Sequence, residues 1–143
     1  MNYFSEEYTQ AQIVQWFQAE DYTVIERCVD NPIMFDDIND CQTHETFGID
    51  VVAKKETDLW IIEVKGETKG NRSAAVSNFH YGLGQILTRM TTVSENIHYG
   101  LAIPNSDNFA AVVRKTMNSQ ALLLLNLSLI LVQNYQNIVF VNQ

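Results

Sequence analysis

Two apolar runs flank a short polar segment within residues 48–66, GIDVVAKKETDLWIIEVKG. Runs of this length and composition predict β-strands, and the polar residues 55–58 between them predict the turn of an antiparallel hairpin. With the turn placed there, residues that face each other across the hairpin have numbers that sum to 113. This register determines which side chains share a face, and it constrains the fold more than any other feature of the sequence.

The two faces of the predicted hairpin differ in polarity. One face carries three apolar pairs and is predicted to pack in the core. These pairs are Ile49–Val64, Val51–Ile62 and Ala53–Trp60. On the other face, Asp50 lies opposite Glu63. Lys65 projects from that same face two residues further along its strand, opposite Gly48, which leaves space beside it.

The paired carboxylates need a positive group between them. Directly opposed residues have Cβ atoms about 4.5–5.5 Å apart, a separation at which two carboxylates repel each other. Mg²⁺ or Mn²⁺ meets this need, because these ions prefer oxygen ligands and retain several waters. A metal-bound water next to a lysine is a hydrolytic arrangement. Asp50, Glu63 and Lys65 therefore indicate metal-dependent phosphodiester hydrolysis.

Two other interpretations of these residues stay open. In the first, Lys65 neutralises Asp50 and Glu63 as a salt-bridged triad on an exposed sheet face. Against this, residues 51–53 and 60–64 are apolar on both faces, which indicates a buried hairpin where isolated charges are costly. In the second, an unrelated α/β domain has this spacing by coincidence, and the two carboxylates point to opposite faces.

Apolar periodicity and turn residues predict the other elements of the chain. The predicted helices are residues 5–19 with Ser5 as N-cap, residues 78–90, and a third that begins at Ser106 or Asp107. The further predicted strands are residues 22–28, 96–103, 127–132 and 138–141, the last two as a closing hairpin. Residues 30–45 and 67–77 are predicted loops, and residues 121–125 fit either a helix or a strand. This order predicts an α/β fold with a mixed central β-sheet flanked by α-helices.

Length and hydropathy bound the class of protein. With 143 residues, 46% of them hydrophobic, the chain is predicted to form a single domain over residues 1–143. The longest apolar run, residues 121–132, is interrupted by Asn126 and Ser128 and is too short to span a bilayer. Since there is also no basic-then-apolar signal segment, we expect a soluble cytoplasmic protein without a membrane partner.

The cysteines and the net charge limit which metal sites, disulfides and nucleic-acid contacts we expect. Cys28 and Cys41 lack CxxC spacing and nearby histidines, and we expect reduced thiols rather than a zinc site or a disulfide. The net charge of -8 argues against nonspecific wrapping of nucleic acid. Five cationic residues within residues 54–72 are nevertheless compatible with phosphate contacts at one patch.

Asp50, followed after a 12-residue gap by Glu63-Val64-Lys65, resembles the active-site motif of the PD-(D/E)XK nuclease superfamily, which has the restriction-endonuclease-like fold. Residues 48–50 have a GxD form in place of the proline of the family name. The resemblance implies that Asp50 and Glu63 are metal ligands for Mg²⁺ or Mn²⁺ and that the Val64 carbonyl is a further ligand. It also implies that Lys65 is the catalytic lysine.

A second likeness lies in the helix after the ExK strand. Residues 79–85, FHYGLGQ, resemble the FHxALGQ segment of the excision-controlling-factor H (XisH-like) family of the cyanobacterial fdxN element, a small nuclease-fold group. This resemblance implies that Gln85 faces the active site and acts with the catalytic residues, the alternative being an ordinary exposed helical glutamine. A histidine at the start of a helix usually caps the helix or is solvated, so we expect only a minor substrate-binding or structural role for His80.

Many members of the superfamily also carry a glutamate in the first helix. In this chain Gln10 and Gln12 are the closest helical positions predicted to face the site. Glu7, one turn earlier, is the candidate auxiliary residue if the start of the helix turns it inward.

These resemblances imply a Mg²⁺-dependent endonuclease that hydrolyses DNA in excision, recombination or mobile-element processing. A cut across both strands implies two active sites and hence a homodimer. The alternative is a noncatalytic accessory protein that uses a nuclease fold to bind a partner protein or DNA, which the acidic net charge favours. The apolar segment of residues 122–132 exceeds what one small core needs and is a candidate interface.

Overall fold

A computed structural model of the protein describes residues 4–26 and 49–141. The predictions for Cys28, Cys41, Gly48 and the loop over residues 30–45 lie outside the described residues, as does the end of the strand predicted over residues 22–28. The elements named below all belong to the two described ranges.

The elements follow one another in nearly the order that the sequence predicts. The helices are α1 (Glu6–Ala19), α2 (Arg72–Arg89), α3 (Asp107–Met117) and α4 (Gln120–Leu125). The strands are β1 (Thr23–Glu26), β2 (Val51–Lys55), β3 (Asp58–Val64), β4 (Ile97–Pro104), β5 (Leu127–Asn134) and β6 (Asn137–Val141). The closing hairpin of β5 and β6 is confirmed, and residues 121–125 prove to be helical.

The strands form one mixed sheet of six strands in the order β1-β2-β3-β4-β5-β6. Neighbours β3, β4 and β5 run parallel, whereas the other neighbouring pairs are antiparallel. Helix α1 covers one face, where Ile13 and Phe17 pack against Trp60. Helices α2 and α3 cover the other, where Phe79 and Phe109 belong to the core. The predicted α/β class with a mixed sheet flanked by helices is confirmed.

The hairpin of β2 and β3 has the predicted register. Val51 pairs with Ile62 and Ala53 with Trp60, and the strands reverse between Lys55 and Asp58. Glu56 takes a left-handed conformation (φ 56°) in this two-residue turn. Both faces of the hairpin are buried, because the sheet has helices on both sides.

The predicted register ends at Val51, and the expected pair Ile49–Val64 does not form part of the observed ladder. The chain bends at Asp50, whose side-chain Oδ2 accepts a hydrogen bond from the Val64 backbone N–H at 2.8 Å. This bond replaces the next rung of the ladder. As a result Ile49 packs in the core beneath α2, while Val51 and Val64 pack beneath α1.

Helix α2 begins at Arg72, six residues before the predicted start at residue 78. The side chain of Asn71 caps the helix by accepting a hydrogen bond from the Ala74 N–H at 2.8 Å. Ala74 and Ala75 then continue it, since alanine has the highest helix propensity. At the start of α1 the predicted N-cap is confirmed, because Ser5 Oγ accepts a hydrogen bond from the Tyr8 N–H at 3.1 Å.

Within residues 4–26 and 49–141, no helix combines the length and the apolar composition that a membrane span requires.

Candidate metal and catalytic site

The structure brings Asp50 and Glu63 together at one end of the β2–β3 hairpin. Asp50 lies at the bend before β2, and its bond to the Val64 N–H holds its carboxylate against β3. Glu63 precedes Val64 in β3 and is only 1% exposed. The charge of Asp50 also acts on Glu63, so the two carboxyl groups are neighbours. This proximity argues against the interpretation in which they point to opposite faces of the sheet.

The surroundings of Glu63 disfavour its negative charge. Burial, followed by the hydrogen bond and the negative charge of Asp50, raises the pKa of Glu63 to about 7, although the neighbouring Arg89 acts in the opposite direction. A cation bound next to Glu63 would stabilise the ionised form of its carboxyl group. The electrostatics therefore support a cation-binding site at this pair of residues.

Arg89, in the last turn of α2, supplies a positive charge to this pair. Its Nε donates a hydrogen bond to Glu63 Oε1 at 3.0 Å. The sequence prediction did not include Arg89. Its role could have been predicted, because Arg89 lies four positions after Gln85 and residues four apart share a face of a helix. If Gln85 faces the site, Arg89 faces it too.

Lys65 extends from the end of β3 toward α2 and the start of α1. Its Nζ lies 3.9 Å from Glu6 Oε1 and 4.8 Å from the centre of the Tyr81 ring. A Cβ added at Gly82 would lie 2.7 Å from Lys65 Cγ, so this glycine of α2 leaves space for the lysine. Lys65 and Glu63 thus both contact α2 and lie on the same side of the sheet, as the sequence predicts.

The ion pairs differ from the salt-bridged triad that was the simpler interpretation of the motif. In the described part of the chain, the ion pair of Lys65 is with Glu6 and that of Glu63 is with Arg89. Lys65 is about 16% exposed and partly shielded by Tyr81. The ion pair that Lys65 forms in the described residues is therefore with α1 and does not neutralise the carboxylate pair.

Gln85 lies on the face of α2 that covers the site, one turn after Gly82 and one turn before Arg89. Its side-chain Oε1 is buried and has no hydrogen-bond partner. A buried acceptor left in this state costs about 1–3 kcal/mol, and an amide oxygen is a ligand that hard cations or their bound waters take readily. Gln85 therefore has a free oxygen acceptor on the helix face that covers the site.

The residues present fit Mg²⁺ or Mn²⁺ better than a metal that needs a full cage of side chains. Among residues 4–26 and 49–141, no three His, Cys, Asp or Glu side chains are grouped as metal ligands. Mg²⁺ usually takes only one or two protein carboxylates and fills its other positions with water. Asp50 and Glu63 supply two carboxylates and Gln85 an amide oxygen on the covering helix, and together they would meet that requirement.

The start of α1 differs from the prediction. Glu6, rather than Glu7, is the helix-one glutamate that contacts Lys65. Glu7 is exposed and, with Gln10, lines a cavity of about 330 Å³ beside β1. Gln12 accepts a hydrogen bond from the Tyr135 N–H at 2.8 Å and so faces the β5–β6 turn instead of the site.

The two remaining residues near the motif have little contact with the site. Gln10 donates a hydrogen bond to Glu26 Oε1 at 3.0 Å, which ties α1 to β1. His80 is exposed on α2, and its ring packs edge-on against Phe79.

A polar groove of about 410 Å³ lies along the start of α2. Apart from Ala74, its lining consists of side chains of kinds that can hydrogen-bond to phosphate groups: Thr68, Lys69, Asn71, Ser73, Ser77 and Asn78. Asn78 of this groove donates a hydrogen bond from its Nδ2 at 2.6 Å to the carbonyl of Gly66, the residue after Lys65, so the groove lies near the end of β3.

Comparison of the chain with known proteins finds no matching family model, no matching curated protein and no matching solved structure. The resemblance to the PD-(D/E)XK nucleases therefore depends on the motif residues and on their arrangement in the fold.

Proposed function

We propose that the protein is a Mg²⁺- or Mn²⁺-dependent deoxyribonuclease of the PD-(D/E)XK type, with a restriction-endonuclease-like fold. The observation that carries this proposal is the carboxylate of Asp50 held next to the buried Glu63, with the unpartnered Oε1 of Gln85 on the covering helix and Lys65 on the same side of the sheet. Hydrolysis of phosphodiester bonds uses these four groups in complementary ways.

Asp50 and Glu63 would hold the metal, together with the Val64 carbonyl, and Gln85 would bind the metal or one of its waters. The metal, when bound, lowers the pKa of a water and stabilises negative charge on a phosphate oxygen. Lys65 positions the nucleophile, accepts its proton or stabilises the charge that develops. Glu6 and Tyr81 hold the lysine side chain in place for this task.

DNA is the proposed substrate because of the polar groove beside Lys65. Its hydroxyl, amide and ammonium groups suit the sugar-phosphate backbone on one side of a scissile bond. An acidic chain with such a local patch is expected to bind DNA weakly outside the site and to lose affinity as salt rises. The likeness of residues 79–85 to an excision-factor segment favours a role in DNA excision or mobile-element processing.

The alternative candidate is a noncatalytic accessory protein that binds a partner protein or DNA. The ion pair of Arg89 with Glu63 favours it, because the guanidinium already supplies positive charge to the carboxylate pair. In such a protein the arginine would replace the metal as a structural cation. The two candidates differ in whether Asp50 and Glu63 bind a divalent ion.

Metal binding and cleavage by the Asp50→Asn variant test the proposal. The asparagine keeps an oxygen for the Val64 N–H but loses the charge, so we expect the affinity for Mn²⁺ to fall by at least about tenfold and cleavage to be lost. Calorimetric titration with Mn²⁺ measures the first effect. Gel assays on linear, supercoiled and branched DNA measure the second.

The matched control for this experiment is Asp107→Asn, since Asp107 is exposed in the first turn of α3. The control should bind Mn²⁺ and cut DNA as the wild type does. Equal cleavage by Asp50→Asn and the wild type would refute the proposed nuclease. A wild-type protein that neither binds Mn²⁺ nor cuts any of the three DNA forms would establish the accessory function instead.

Arg89→Met is expected to raise the affinity for Mn²⁺ roughly tenfold, equivalent to about 1.4 kcal/mol, because the guanidinium no longer competes for Glu63. The same change leaves a buried carboxylate without its cation, so the metal-free protein should lose about 3 kcal/mol of stability. Mn²⁺ titration and thermal unfolding with and without metal measure these opposite effects.

Arg114→Met is the control for Arg89, because Arg114 occupies the equivalent last turn of α3 and is exposed. It should change neither the affinity nor the melting temperature appreciably. Weaker Mn²⁺ binding by Arg89→Met would show that the arginine supports the metal site instead of competing with the metal.

A further inference from the structure

The last 28 residues of the chain carry no charge. After Lys115, residues 116–143 contain no Asp, Glu, Lys, Arg or His, so all of the charge behind the net value of -8 lies in residues 1–115. Two copies of so acidic a chain repel each other over most of their surface. The uncharged segment is a part of the chain where two copies can approach without this penalty.

Strand β6 brings the uncharged segment to an edge of the sheet. It pairs with β5 on one side, and no other strand of residues 4–26 and 49–141 pairs with its outer side. Proteins usually protect exposed sheet edges with charged residues or proline, because the free backbone N–H and C=O groups pair readily with another strand. β6, with the sequence NIVFV, has neither protection.

Apolar side chains are exposed on β6 and on α4, the helix that leads into β5, the partner strand of β6. Val139 of β6 is 44% exposed, and in α4 Leu124 is 86% exposed, with Leu123 and Leu125 also exposed. All of them lie on one side of the sheet, because Leu122 of α4 joins the core beneath α2 and α3 and Val141, two residues from Val139, packs at the margin of that core. Apolar side chains exposed to this degree indicate a surface that is buried in an assembly.

We infer that β6 and α4 form the interface of a homodimer. In this dimer the β6 strands of two copies pair antiparallel, and the α4 leucines pack over the paired strands. A second copy fits for two reasons. Antiparallel pairing of identical strands obeys the two-fold symmetry of a closed dimer, and the uncharged segment is the part of this acidic chain that does not repel itself. The two six-stranded sheets become one continuous sheet.

The inference does not depend on the proposed nuclease activity. If both hold, the dimer brings two copies of the Asp50–Glu63 site into one particle, which is what cutting both strands of a duplex requires. Of the apolar segment of residues 122–132, the α4 leucines at 123–125 are exposed and available to this interface, whereas β5 lies inside the sheet with Leu127 and Leu129 buried in the core.

Sedimentation velocity and light scattering of the full chain test the inference. The wild type is expected at about twice the 16.3 kDa of one chain, with dissociation on dilution across about 1–100 μM. Val139→Lys places a charge on the strand edge and Leu124→Glu places one on α4. Each should raise the dimer dissociation constant by at least about 100-fold.

Both side chains are exposed, so neither change should disturb folding, and circular dichroism and the melting temperature of the monomer check this. Val93→Lys is the matched control, because Val93 is fully exposed between α2 and β4, and it should remain dimeric. A wild type that is monomeric over the whole concentration range would overturn the inference. So would a dimer that survives Val139→Lys, since its strands could not then be paired through β6.

Discussion

Replacing Lys65 by methionine is expected to lower the rate of metal-dependent DNA cleavage by at least about 100-fold and to leave the affinity for Mn²⁺ within about threefold. Methionine retains an unbranched apolar side chain that fills the space beside Gly82, but it has no ammonium group. The loss is therefore one of chemistry at the phosphate, since the carboxylates of Asp50 and Glu63 are unchanged.

Single-turnover cleavage at saturating Mn²⁺ separates this effect from metal binding, which calorimetry measures on the same protein. Lys115→Met is the control, because Lys115 is exposed in the last turn of α3, and it should cut at the wild-type rate. Cleavage by Lys65→Met at the wild-type rate would exclude the lysine from the reaction. Loss of Mn²⁺ binding together with cleavage would instead assign Lys65 to the metal site.

The proximity of Asp50 and Glu63 was predictable because it depends on a local feature. Once the apolar runs and the turn define the register of a hairpin, every cross-strand pair follows by counting, and the observed pairs from Val51–Ile62 to the turn agree. Counting fails at Ile49, since a side-chain acceptor on Asp50 takes the Val64 N–H and ends the ladder. Regular periodicity does not describe such a bond between a side chain and the backbone.

Contacts between helices and the sheet were harder to predict, because they depend on how far each helix is rotated about its axis. Glu6 and Glu7 are adjacent in sequence, yet they project about 100° apart on a helix, so only one of them can face Lys65. The burial of Ile13 and Phe17 against the sheet determines that rotation, and it selects Glu6. The amphipathic pattern of α1 alone does not define the rotation of the helix about its axis to within one residue.

The Arg89–Glu63 ion pair shows two things that a sequence motif does not give: the neighbours of its residues and the energetic balance between them. The family pattern names Asp50, Glu63 and Lys65, and it says nothing of a cation from the next helix that pairs with one of the carboxylates. Whether such a cation competes with a metal or replaces it is an energetic question, because the same buried carboxylate is stabilised by either. Titrations of Arg89→Met and Asp50→Asn with Mn²⁺ decide between these roles, and so between a nuclease and an accessory protein.

Gly66→Ala is expected to lower the free energy of unfolding by about 3 kcal/mol and the melting temperature by roughly 10 °C. Gly66 follows Lys65, and an added Cβ would lie 2.1 Å from the Glu6 N and 2.4 Å from the Ser5 carbonyl carbon. These are backbone atoms that no change of rotamer can move. The first turn of α1 would have to shift, and the hydrogen bond from the Glu67 N–H to the Phe4 carbonyl at 2.7 Å would be strained.

Gly84→Ala is the control for this change, because a Cβ at Gly84 of α2 would meet no atom within 4 Å. Alanine in a helix is favoured over glycine by roughly 0.5–1 kcal/mol, so the same substitution should stabilise the protein at this position. Thermal and denaturant unfolding of the two variants measure both effects. Because α1 also brings Glu6 to Lys65, Gly66→Ala should slow DNA cleavage even where it remains folded, whereas Gly84→Ala should not. Equal stability of the two variants would mean that α1 does not pack closely on Gly66, and the position assigned to Glu6 would then be wrong.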